Sequence, residues 1–392
     1  MSFCKIHFLP ALGGDCFVIE FKTKECIIID CGYKSTYHNE LKPLLLRLKD
    51  EGCKVSLLLI THTDKDHIEG AIEFIRNNGC CLSPNIIEID NIWYNGVYNT
   101  LCHNSELRNR INDSSSIQKK RIDYYIANLL SNLPAHKTDI SANNCIDFER
   151  LCFCNGYNIN SCFQNSIVTR SFNKYAEKGQ SGIQIGNCKI TILSPTDKEI
   201  IDLSKVLHTE MLKILGADYA INNDSKFVKL CELFLELKTE LYNQEEEISA
   251  TSDKIDSWIG TSSLAEMNAV NKASIVVEIE YDDIKMLFTG DSESALWNDF
   301  LDDYYDVVKL SHHGTTKPNL KLLDSTKGRV VLISTNGYRK NKHPEKETIA
   351  RVIRSGYKNL FFNYVHPFKD TLIANQEKYG YKAFFDKKVI EL

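Results

Sequence analysis

The sequence predicts an α/β protein, arranged as a four-layer αββα sandwich with helical insertions. Strand and helix patterns alternate along the first eighty residues, and a similar alternation returns after residue 270. Polar, helix-rich segments lie between these two β-rich halves. Each sheet can bury one face against the other sheet and cover its outer face with helices, which produces four layers. We therefore interpret residues 1–392 as a single domain with insertions at about 97–182 and 196–268.

The elements of the N-terminal half are predicted from periodicity and residue type. Residues 17–21 and 26–30 are rich in β-branched and aromatic side chains and flank a polar turn, which is typical of a hairpin. Leucines at helical spacing predict a helix over 39–51. The continuous apolar run at 55–60 indicates a strand buried on both faces, and a helical pattern over 68–78 follows it.

The same criteria predict the elements of the C-terminal half and of the insertions. Strands are expected at 183–185, 189–193, 273–280, 285–289, 307–310, 330–334 and 359–363. Helices are expected at 117–133, as a pair within 198–243, at 295–301 and at 345–355. We expect the insertions to form a lid over the functional site or a surface for a protein partner, because inserted loops commonly border such sites.

The composition excludes several classes of protein. The 392 residues are 43% hydrophobic and 25% charged, which is typical of a globular chain and not of a disordered or fibrous one. With 47 basic and 52 acidic residues the net charge is −5, so binding of nucleic acid by overall charge is not expected. No apolar run reaches the ~18 residues of a membrane span, and the N-terminus does not resemble a signal peptide. We therefore expect a cytoplasmic protein with no membrane partner and with reduced cysteines.

The densest group of chemically active residues follows the predicted strand 55–60. His62, Asp64, Asp66 and His67 fall within six positions at the carboxyl end of that strand. Functional sites of α/β folds commonly lie at such strand ends. Imidazole and carboxylate side chains together suit divalent transition metals. The pattern HxDxDH therefore predicts a metal-binding loop rather than a polar loop whose aspartates only cap the next helix.

Further motifs follow in order along the chain. They are FLPALGGDCFVIE followed by IIIDCG with Asp30, NKAS beginning at Asn271, TGD ending at Asp291, SHHGT with His312 and His313, and His343 before a proline. Together with HxDxDH they resemble the metallo-β-lactamase superfamily, in particular the hydrolase domain of the ComEC/Rec2 competence proteins and their soluble relatives. The resemblance covers roughly residues 1–95 and 183–365.

The resemblance implies a hydrolase that uses two divalent metal ions, Zn or Mn, to activate a water. The candidate metal ligands are His62, Asp64, Asp66, His67, Asp291, His312 and His313. By the same resemblance, Asp291 would bridge the ions, Asp30 would support the loop, and Asp66 and His343 would act in catalysis. His312 and His313 are adjacent, so an extended segment would point them to opposite sides. One is then expected to bind metal and the other to pack or contact substrate, and the sequence leaves open which.

Two positions depart from the histidine-rich pattern of the superfamily. Asn271 stands where the third motif normally supplies a histidine, and Asp64 replaces another histidine. Asparagine is a weak neutral ligand, so the first metal position is expected to be rich in oxygen, which favours manganese over zinc. The three carboxylates of Asp64, Asp66 and Asp291 would leave two divalent ions with surplus positive charge. That surplus favours an anionic phosphoryl substrate.

These expectations indicate a metal-dependent phosphodiesterase or nuclease that acts on DNA, RNA or a small nucleotide. Arg339, Lys340 and Lys342 precede His343 and are candidates for binding phosphate at the pocket rim, and they fit a solvated basic turn equally well. Hydrolysis of a non-phosphate ester, thioester or lactone is the alternative with the same chemistry. A non-catalytic binding subunit of a defence or stress complex is the alternative from another class. The oligomeric state is left open.

Overall fold

The structure, a computed structural model, describes residues 4–131, 148–163, 166–170, 182–242, 254–262, 264–337 and 343–392. In chain order the strands are β1 (Cys4–Phe8), β2 (Cys16–Phe21), β3 (Glu25–Cys31), β4 (Lys54–Ile60), β5 (Ile92–Tyr94), β6 (Ile183–Ile185), β7 (Cys188–Ser194), β8 (Val276–Tyr281), β9 (Ile284–Phe288), β10 (Tyr304–Lys309), β11 (Lys327–Ile333), β12 (Asn359–Phe362), β13 (Lys382–Phe384) and β14 (Val389–Glu391). The helices are α1 (Lys34–Thr36), α2 (Lys42–Asp50), α3 (Lys65–Asn78), α4 (Val97–His103), α5 (Ser116–Ser131), α6 (Phe148–Cys154), α7 (Asp197–Leu215), α8 (Ser225–Tyr242), α9 (Ala269–Lys272), α10 (Thr316–Ser325), α11 (Lys346–Arg354) and α12 (Lys369–Tyr379).

Within the described residues, the first sheet has the strand order β14-β1-β2-β3-β4-β5. β1, β2 and β3 run antiparallel, and the hairpin predicted from residues 17–21 and 26–30 is confirmed as β2 and β3. β3, β4 and β5 run parallel. β14 pairs with β1, with Ile390 opposite Ile6. The C-terminal strand therefore completes the sheet that the N-terminal strands begin.

The second sheet has the order β13-β12-β11-β10-β9-β8-β7-β6 among the described strands. β6 to β9 run antiparallel, whereas β9 to β13 run parallel. Helices α10, α11 and α12 lie between successive parallel strands along the chain. A crossover helix of this kind is the usual way to join parallel neighbours.

Alternating side chains place the two sheets in the middle of four layers. In β3, Ile27 and Ile29 belong to a core shared by both sheets, whereas Cys26 and Ile28 belong to a core shared with α2 and α3. The outer face of the second sheet, including Val308, packs against α10, α11 and α12. The predicted αββα sandwich is therefore confirmed.

The described parts of the two insertions share one core. Leu101 of α4 packs in the same apolar cluster as Leu207 of α7 and Leu230 of α8. The cluster also contains Val270 and Ala273, which lie in and directly after α9. Because α9 contains Asn271, the first residue of the NKAS motif, the insertion core holds one side of the predicted site.

One sequence prediction about helices is wrong, and one helix was not predicted. The helix expected at 295–301 is replaced by two short 3₁₀ turns, Ser294–Leu296 and Asn298–Phe300. Trp297 separates them with φ −142°, because its indole N–H donates to the Ser292 hydroxyl and the ring is buried. Helix α10 was not among the predicted elements, and its Pro318 lies in the first turn, where a proline removes no helical hydrogen bond.

The helices that the structure describes include none with the length and apolar character needed to cross a membrane. The cysteines in the described part of the chain are free thiols, as expected.

Candidate metal centre

The predicted metal-binding residues meet at one edge of the sandwich, where strands of both sheets end. Asp30 lies near the end of β3, and the loop 62–67 begins after β4 and runs into α3. In the second sheet Asp291 follows β9, and the turn Ser311–Gly314 follows β10. The carboxyl ends of neighbouring parallel strands lie at the same edge, so side chains far apart in the sequence come together there.

Asp30 is buried beneath the loop and accepts three hydrogen bonds. Its Oδ1 accepts from the backbone N–H of Thr61 at 2.8 Å. Its Oδ2 accepts from the Thr61 hydroxyl and from His67 Nδ1, each at 2.8 Å. The backbone of Asp30 has φ +54°, a left-handed conformation that is strained for a residue with a Cβ. The three hydrogen bonds offset this strain and hold the end of β4 and the His67 ring in place.

Hydrogen bonds to Nδ1 orient three histidine rings so that Nε2 faces the centre. Thr61 gives its only hydroxyl proton to Asp30, so its oxygen accepts from His62 Nδ1 at 3.0 Å. His67 donates from Nδ1 to Asp30. His313 donates from Nδ1 to a backbone carbonyl after β11 at 3.1 Å. When Nδ1 carries the only ring proton, each ring presents a lone pair on Nε2, which is the form that binds a metal.

Asp291 lies among these nitrogens. Its Oδ2 is 3.5 Å from Nε2 of both His67 and His313, 3.8 Å from Nε2 of His62, and 3.9 Å from Nε2 of His312. Donor atoms that bind one zinc ion at about 2.0–2.2 Å lie roughly 3–3.5 Å from each other. The distances from Asp291 Oδ2 to these nitrogens are therefore close to, or slightly longer than, those between ligands of one bound ion. Small side-chain movements would close the difference.

Four overlapping groups of donor atoms among the described residues could hold a metal ion, and two of them include Asp15, which is already paired with Lys309. The first of the other two consists of His62, His67 and Asp291, and the second of Asp66, His67 and His313. Both use Nε2 of His67, whose one lone pair can serve only one ion at a time. In the second group, Asp66 Oδ2 lies 3.6 Å from His313 Nε2, and Asp66 Oδ1 lies 4.0 Å from His67 Nε2. Asp291 contacts members of both groups, so its position suits the bridging role expected from the sequence.

Asp64 and Asn271 were also expected at the first metal position. Asp64 lies beside His62, and Asn271 lies beside His312. Asp64 Oδ2 is 3.6 Å from His62 Nε2. Asn271 is buried, its Oδ1 has no hydrogen-bond partner, and its Nδ2 lies 3.4 Å from His312 Nε2. Two of the donors here are side-chain oxygens where the superfamily has histidines. The structure adds one imidazole, His312, which the sequence prediction did not place at this position.

The expectation that His312 and His313 point to opposite sides is wrong. It assumed an extended segment, but both residues have left-handed backbone conformations, with φ +46° and φ +55°. The turn therefore directs both rings towards the cluster, with their centroids 5.9 Å apart. His313 lies in a group that could hold a metal ion, and His312 faces Asn271.

His343 packs beside this pair of histidines. Its ring centroid lies 5.5 Å from that of His312 and 6.5 Å from that of His313. Burial, together with His312 and His313, holds the pKa of His343 well below its ordinary value. The ring is therefore uncharged at neutral pH. The candidate phosphate-binding residues next to it lie outside the described residues: Arg339, Lys340 and Lys342.

Two residues that the sequence analysis did not single out, Asp15 and Lys309, lie directly behind the cluster. They form a buried ion pair. Lys309 Nζ also donates to the carbonyl of Gly290 at 2.8 Å and lies 3.5 Å from Asp291 Oδ1. Asp15 Oδ1 lies 3.4 Å from His313 Nδ1. Burial alone would raise the pKa of Asp15, but Lys309 and His313 outweigh this effect and lower that pKa. Asp15 therefore remains a carboxylate that orients the His313 ring.

A sequence signal for this pair did exist. Lys309 is the last residue of an otherwise apolar strand end, immediately before the LSHHG motif, and Asp15 follows two glycines. Gly14 permits the approach of Asp15, because a Cβ at that position would lie 2.0 Å from the carbonyl oxygen of Asp66. A lysine that ends a buried strand is informative, since such a charge is rarely buried without a partner.

The donor set fits a metal ion because several buried polar atoms in it have no hydrogen-bond partner. They are His62 Nε2, His67 Nε2, Asn271 Oδ1 and Asp291 Oδ1. Leaving a buried polar atom unpaired costs about 1–3 kcal/mol, and native proteins contain few such atoms. A bound cation would satisfy atoms of this kind, and three of the four come from residues at the strand ends described above, the fourth from Asn271 in α9.

The charge of the cluster differs from the count made on the sequence. Its carboxylates include Asp30 as well as the three expected ones, Asp64, Asp66 and Asp291. Four carboxylates balance the charge of two divalent ions, and Asp15 is balanced by Lys309. The surplus positive charge expected from the sequence is therefore absent. An anionic substrate would need positive charge from other residues.

Metal binding is expected to release protons. Burial would lower the pKa of His67, but Asp291 and Asp30 outweigh it and raise that pKa well above its ordinary value. Asp291 and Asp15 likewise raise the pKa of His313 against the effect of burial. The metal must displace these protons, so its affinity should fall as the pH falls. Calorimetric titration with Mn²⁺ in buffers of different ionisation enthalpy would count the protons. An affinity that is unchanged from about pH 8 to pH 6 would contradict the prediction.

Comparison with known proteins identifies a family for the N-terminal part of the chain. Residues 9–114, which include the HxDxDH loop, match the metallo-beta-lactamase superfamily. No curated protein matches the sequence at a significant level. Among solved structures, the chain is similar to the metallo-beta-lactamase fold protein YhfI from Bacillus subtilis, with 8% identity, a TM-score of 0.39 and coverage of 99% of both chains. It is also similar to a candidate metal-dependent hydrolase from Parabacteroides distasonis, with 11% identity, a TM-score of 0.35 and coverage of 98% of this chain and 93% of that one.

Proposed function

We propose that this chain, which carries a metallo-β-lactamase superfamily domain, is a metal-dependent hydrolase that cleaves phosphodiester bonds. The observation that carries the proposal is the pair of overlapping donor groups, His62 with His67 and Asp291, and Asp66 with His67 and His313. Two divalent ions held there would supply an activated water and charge stabilisation for the leaving oxygen.

The side chains around the donor groups suit the positioning and proton transfer that hydrolysis needs. The Asp66 side chain is 22% exposed, more than those of Asp64 and Asp291, so water and substrate reach it most easily. Its carboxylate can accept a proton from the attacking water, while His313 Nε2 lies 3.6 Å away. His343 is neutral and can donate a hydrogen bond to a substrate oxygen without adding charge.

The phosphodiester class is supported by the motifs and by the donor types. HxDxDH, TGD and SHHGT together resemble the ComEC-like branch, for which DNA or RNA is the expected substrate, with a small nucleotide as the next choice. Asp64 Oδ2 lies near His62, and the Asn271 amide faces His312 through Nδ2 and leaves Oδ1 without a hydrogen-bond partner, at two positions where the superfamily has histidines. Oxygen donors suit manganese and magnesium, which commonly serve phosphate chemistry.

A substrate panel tests the proposed function. The purified protein, loaded with Mn²⁺, would be assayed on single-stranded DNA, RNA and a chromogenic phosphodiester, and on an acetate ester, a thioester and a lactone. We expect hydrolysis of the phosphodiesters, and its loss in Asp66→Ala with the melting transition unchanged. Turnover of only the second set would favour the ester, thioester or lactone alternative. Metal binding without turnover of any substrate would favour a binding role.

Manganese is expected to support activity better than zinc, and two substitutions should reverse that preference. Asp64→His together with Asn271→His adds one imidazole donor beside His62 and another beside His312. The ratio of zinc affinity to manganese affinity should rise on the order of tenfold, because imidazole suits zinc better than carboxylate or amide oxygen does.

The measurement is competition between the two metals, followed by mass spectrometry of the bound ions. Asp64→Asn with Asn271→Gln is the matched control, since it changes the same positions without adding an imidazole. Two tightly bound zinc ions in the parent protein, resistant to exchange with manganese, would contradict the argument from donor type.

A further inference from the structure

Two lysines lie next to the more open side of the metal centre. Lys272 ends α9 and directly follows Asn271, and Lys317 lies in the first turn of α10, just after the SHHGT motif. In the metal centre the most exposed side chains are Asp66, at 22%, and His312, at 15%. His312 lies against Asn271. Both lysines therefore lie close in sequence to residues of the metal centre, Lys272 directly after Asn271 and Lys317 five positions after His312.

A single carboxylate bridges the two lysines. Glu266 Oε1 lies 2.9 Å from Lys317 Nζ, and Oε2 lies 3.2 Å from Lys272 Nζ. The Glu266 side chain is 72% exposed, whereas those of Lys272 and Lys317 are 31% and 17% exposed. Lys272 has a further acidic neighbour, Glu293, at 3.9 Å. Each oxygen of Glu266 thus contacts one ammonium group, as an anion held between two lysines would.

We propose that Lys272 and Lys317 form a phosphate-binding site at the rim of the metal centre, which Glu266 occupies until a nucleic acid strand displaces it. The inference rests on the proposed function, and it assigns the site that binds a phosphate neighbouring the cleaved one. A phosphodiester, like a carboxylate, offers two charged oxygens on one atom. The two ammonium groups that now contact Oε1 and Oε2 can therefore contact both non-bridging oxygens of a phosphate.

The charge of the metal centre explains why such a site is needed. Four carboxylates balance two divalent ions, so the centre has no surplus charge with which to attract a polyanion. The whole chain has a net charge of −5, which repels a nucleic acid strand at long range. Positive charge must therefore be local. Lysines at the rim supply it, and contacts to phosphate position a strand without selecting its sequence.

Glu266 is suited to being displaced. An ion pair on the surface stabilises a protein little, because water and salt screen it. The hydrogen bonds from Lys317 and then from Lys272 lower the pKa of Glu266, so it stays ionised. Displacement is therefore an exchange of one anion for another. The lysines keep their contacts with an anion throughout, and only the anion changes.

The backbone that carries Lys272 is held by the insertions. The Asn268 side chain accepts from the backbone N–H of Asn271 at 2.8 Å and caps α9. Val270 and Ala273 anchor the same segment in the insertion core. The insertion helices therefore hold the backbone of Lys272 in place.

The test measures binding and catalysis separately on the Mn²⁺-loaded protein. Binding of a fluorescent phosphorothioate hexanucleotide, which resists hydrolysis, is followed by anisotropy. Lys272→Gln and Lys317→Gln should each weaken it roughly tenfold, as expected for the loss of one charged hydrogen bond. Glu266→Gln should strengthen it several-fold, because the competing anion is gone. For cleavage of a DNA oligonucleotide, KM should rise in the two lysine variants and fall in Glu266→Gln, while kcat stays unchanged. Turnover of a small chromogenic phosphodiester, which has no neighbouring phosphate, should not change.

Conservative and remote variants serve as controls. Lys317→Arg keeps the charge and should retain most of the affinity. Lys388 contacts both oxygens of Glu40 at 2.9 and 3.0 Å in another surface ion pair, so Lys388→Gln and Glu40→Gln should leave binding unchanged. Unchanged binding in both lysine variants, weaker binding in Glu266→Gln, or equal weakening in Lys388→Gln would each overturn the inference. If hexanucleotide binding responds as expected but no phosphodiester is cleaved, the proposed function fails while the phosphate site stands.

Discussion

Replacing Asp291 by asparagine should remove most of the bound metal and lower kcat/KM on the order of a thousandfold or more. Asp291 Oδ2 lies within 3.9 Å of Nε2 of four histidines: His62, His67, His312 and His313. Asparagine keeps the shape of the side chain but removes its negative charge, so both donor groups lose attraction for a cation. Mass spectrometry of the bound metal and steady-state kinetics would measure the two effects.

Two further variants make the Asp291 experiment specific. Asp324→Asn in α10 removes an exposed carboxylate from the helix after the SHHGT motif and should change neither metal content nor activity. Asp291→Glu keeps the charge but moves it by one methylene, so it should retain part of the metal. Full metal content in Asp291→Asn, with a normal melting transition, would show that Asp291 does not bridge the two positions.

Replacing Lys309 by methionine should lower the free energy of unfolding by about 3–5 kcal/mol. Lys309 and Asp15 are both buried and form an ion pair directly behind the metal centre. Methionine has a similar length but no charge, so it leaves the Asp15 carboxylate buried without its main partner. An uncompensated buried charge is strongly unfavourable. Urea denaturation of the metal-free protein, monitored by tryptophan fluorescence, would measure the loss.

The double variant Lys309→Met with Asp15→Asn separates the ion pair from simple packing. Asparagine needs no cationic partner, so the double variant should be more stable than Lys309→Met alone. Lys388→Met, at a surface ion pair, should change stability by about 0.5 kcal/mol or less. A double variant at least as unstable as the single one would indicate that Lys309 acts mainly through its bond to the Gly290 carbonyl.

The parts of the structure that the sequence predicted well depend on interactions between nearby residues. The run at 55–60 is apolar on both faces and forms β4, and the residues directly after it form the loop that contains His62 and His67. The hairpin of β2 and β3 is equally local. Asp30 was expected beneath the loop through a family resemblance, and it lies there because β3 and β4 are parallel neighbours.

The parts that the sequence did not predict depend on contacts between distant segments or on an unusual backbone. Both rings of His312 and His313 face the centre because two consecutive residues adopt left-handed conformations, which residue type does not indicate. Asp15, in a turn after β1, pairs with Lys309 at the end of β10, so the two residues are far apart in the sequence. Such pairs follow from the order of strands in two packed sheets, and no local pattern encodes that order.

The sequence by itself predicted the fold class from periodicity and proposed the metal-binding loop from its density of ligands, and a family resemblance proposed the remaining ligands. Only the tertiary structure decided how the donors group around Asp291 and which charges balance them. It also brought Glu266 between Lys272 and Lys317, which belong to two different helices. The physical reason is that electrostatic balance depends on distances in space, and those are set when the two sheets and the insertion core pack together.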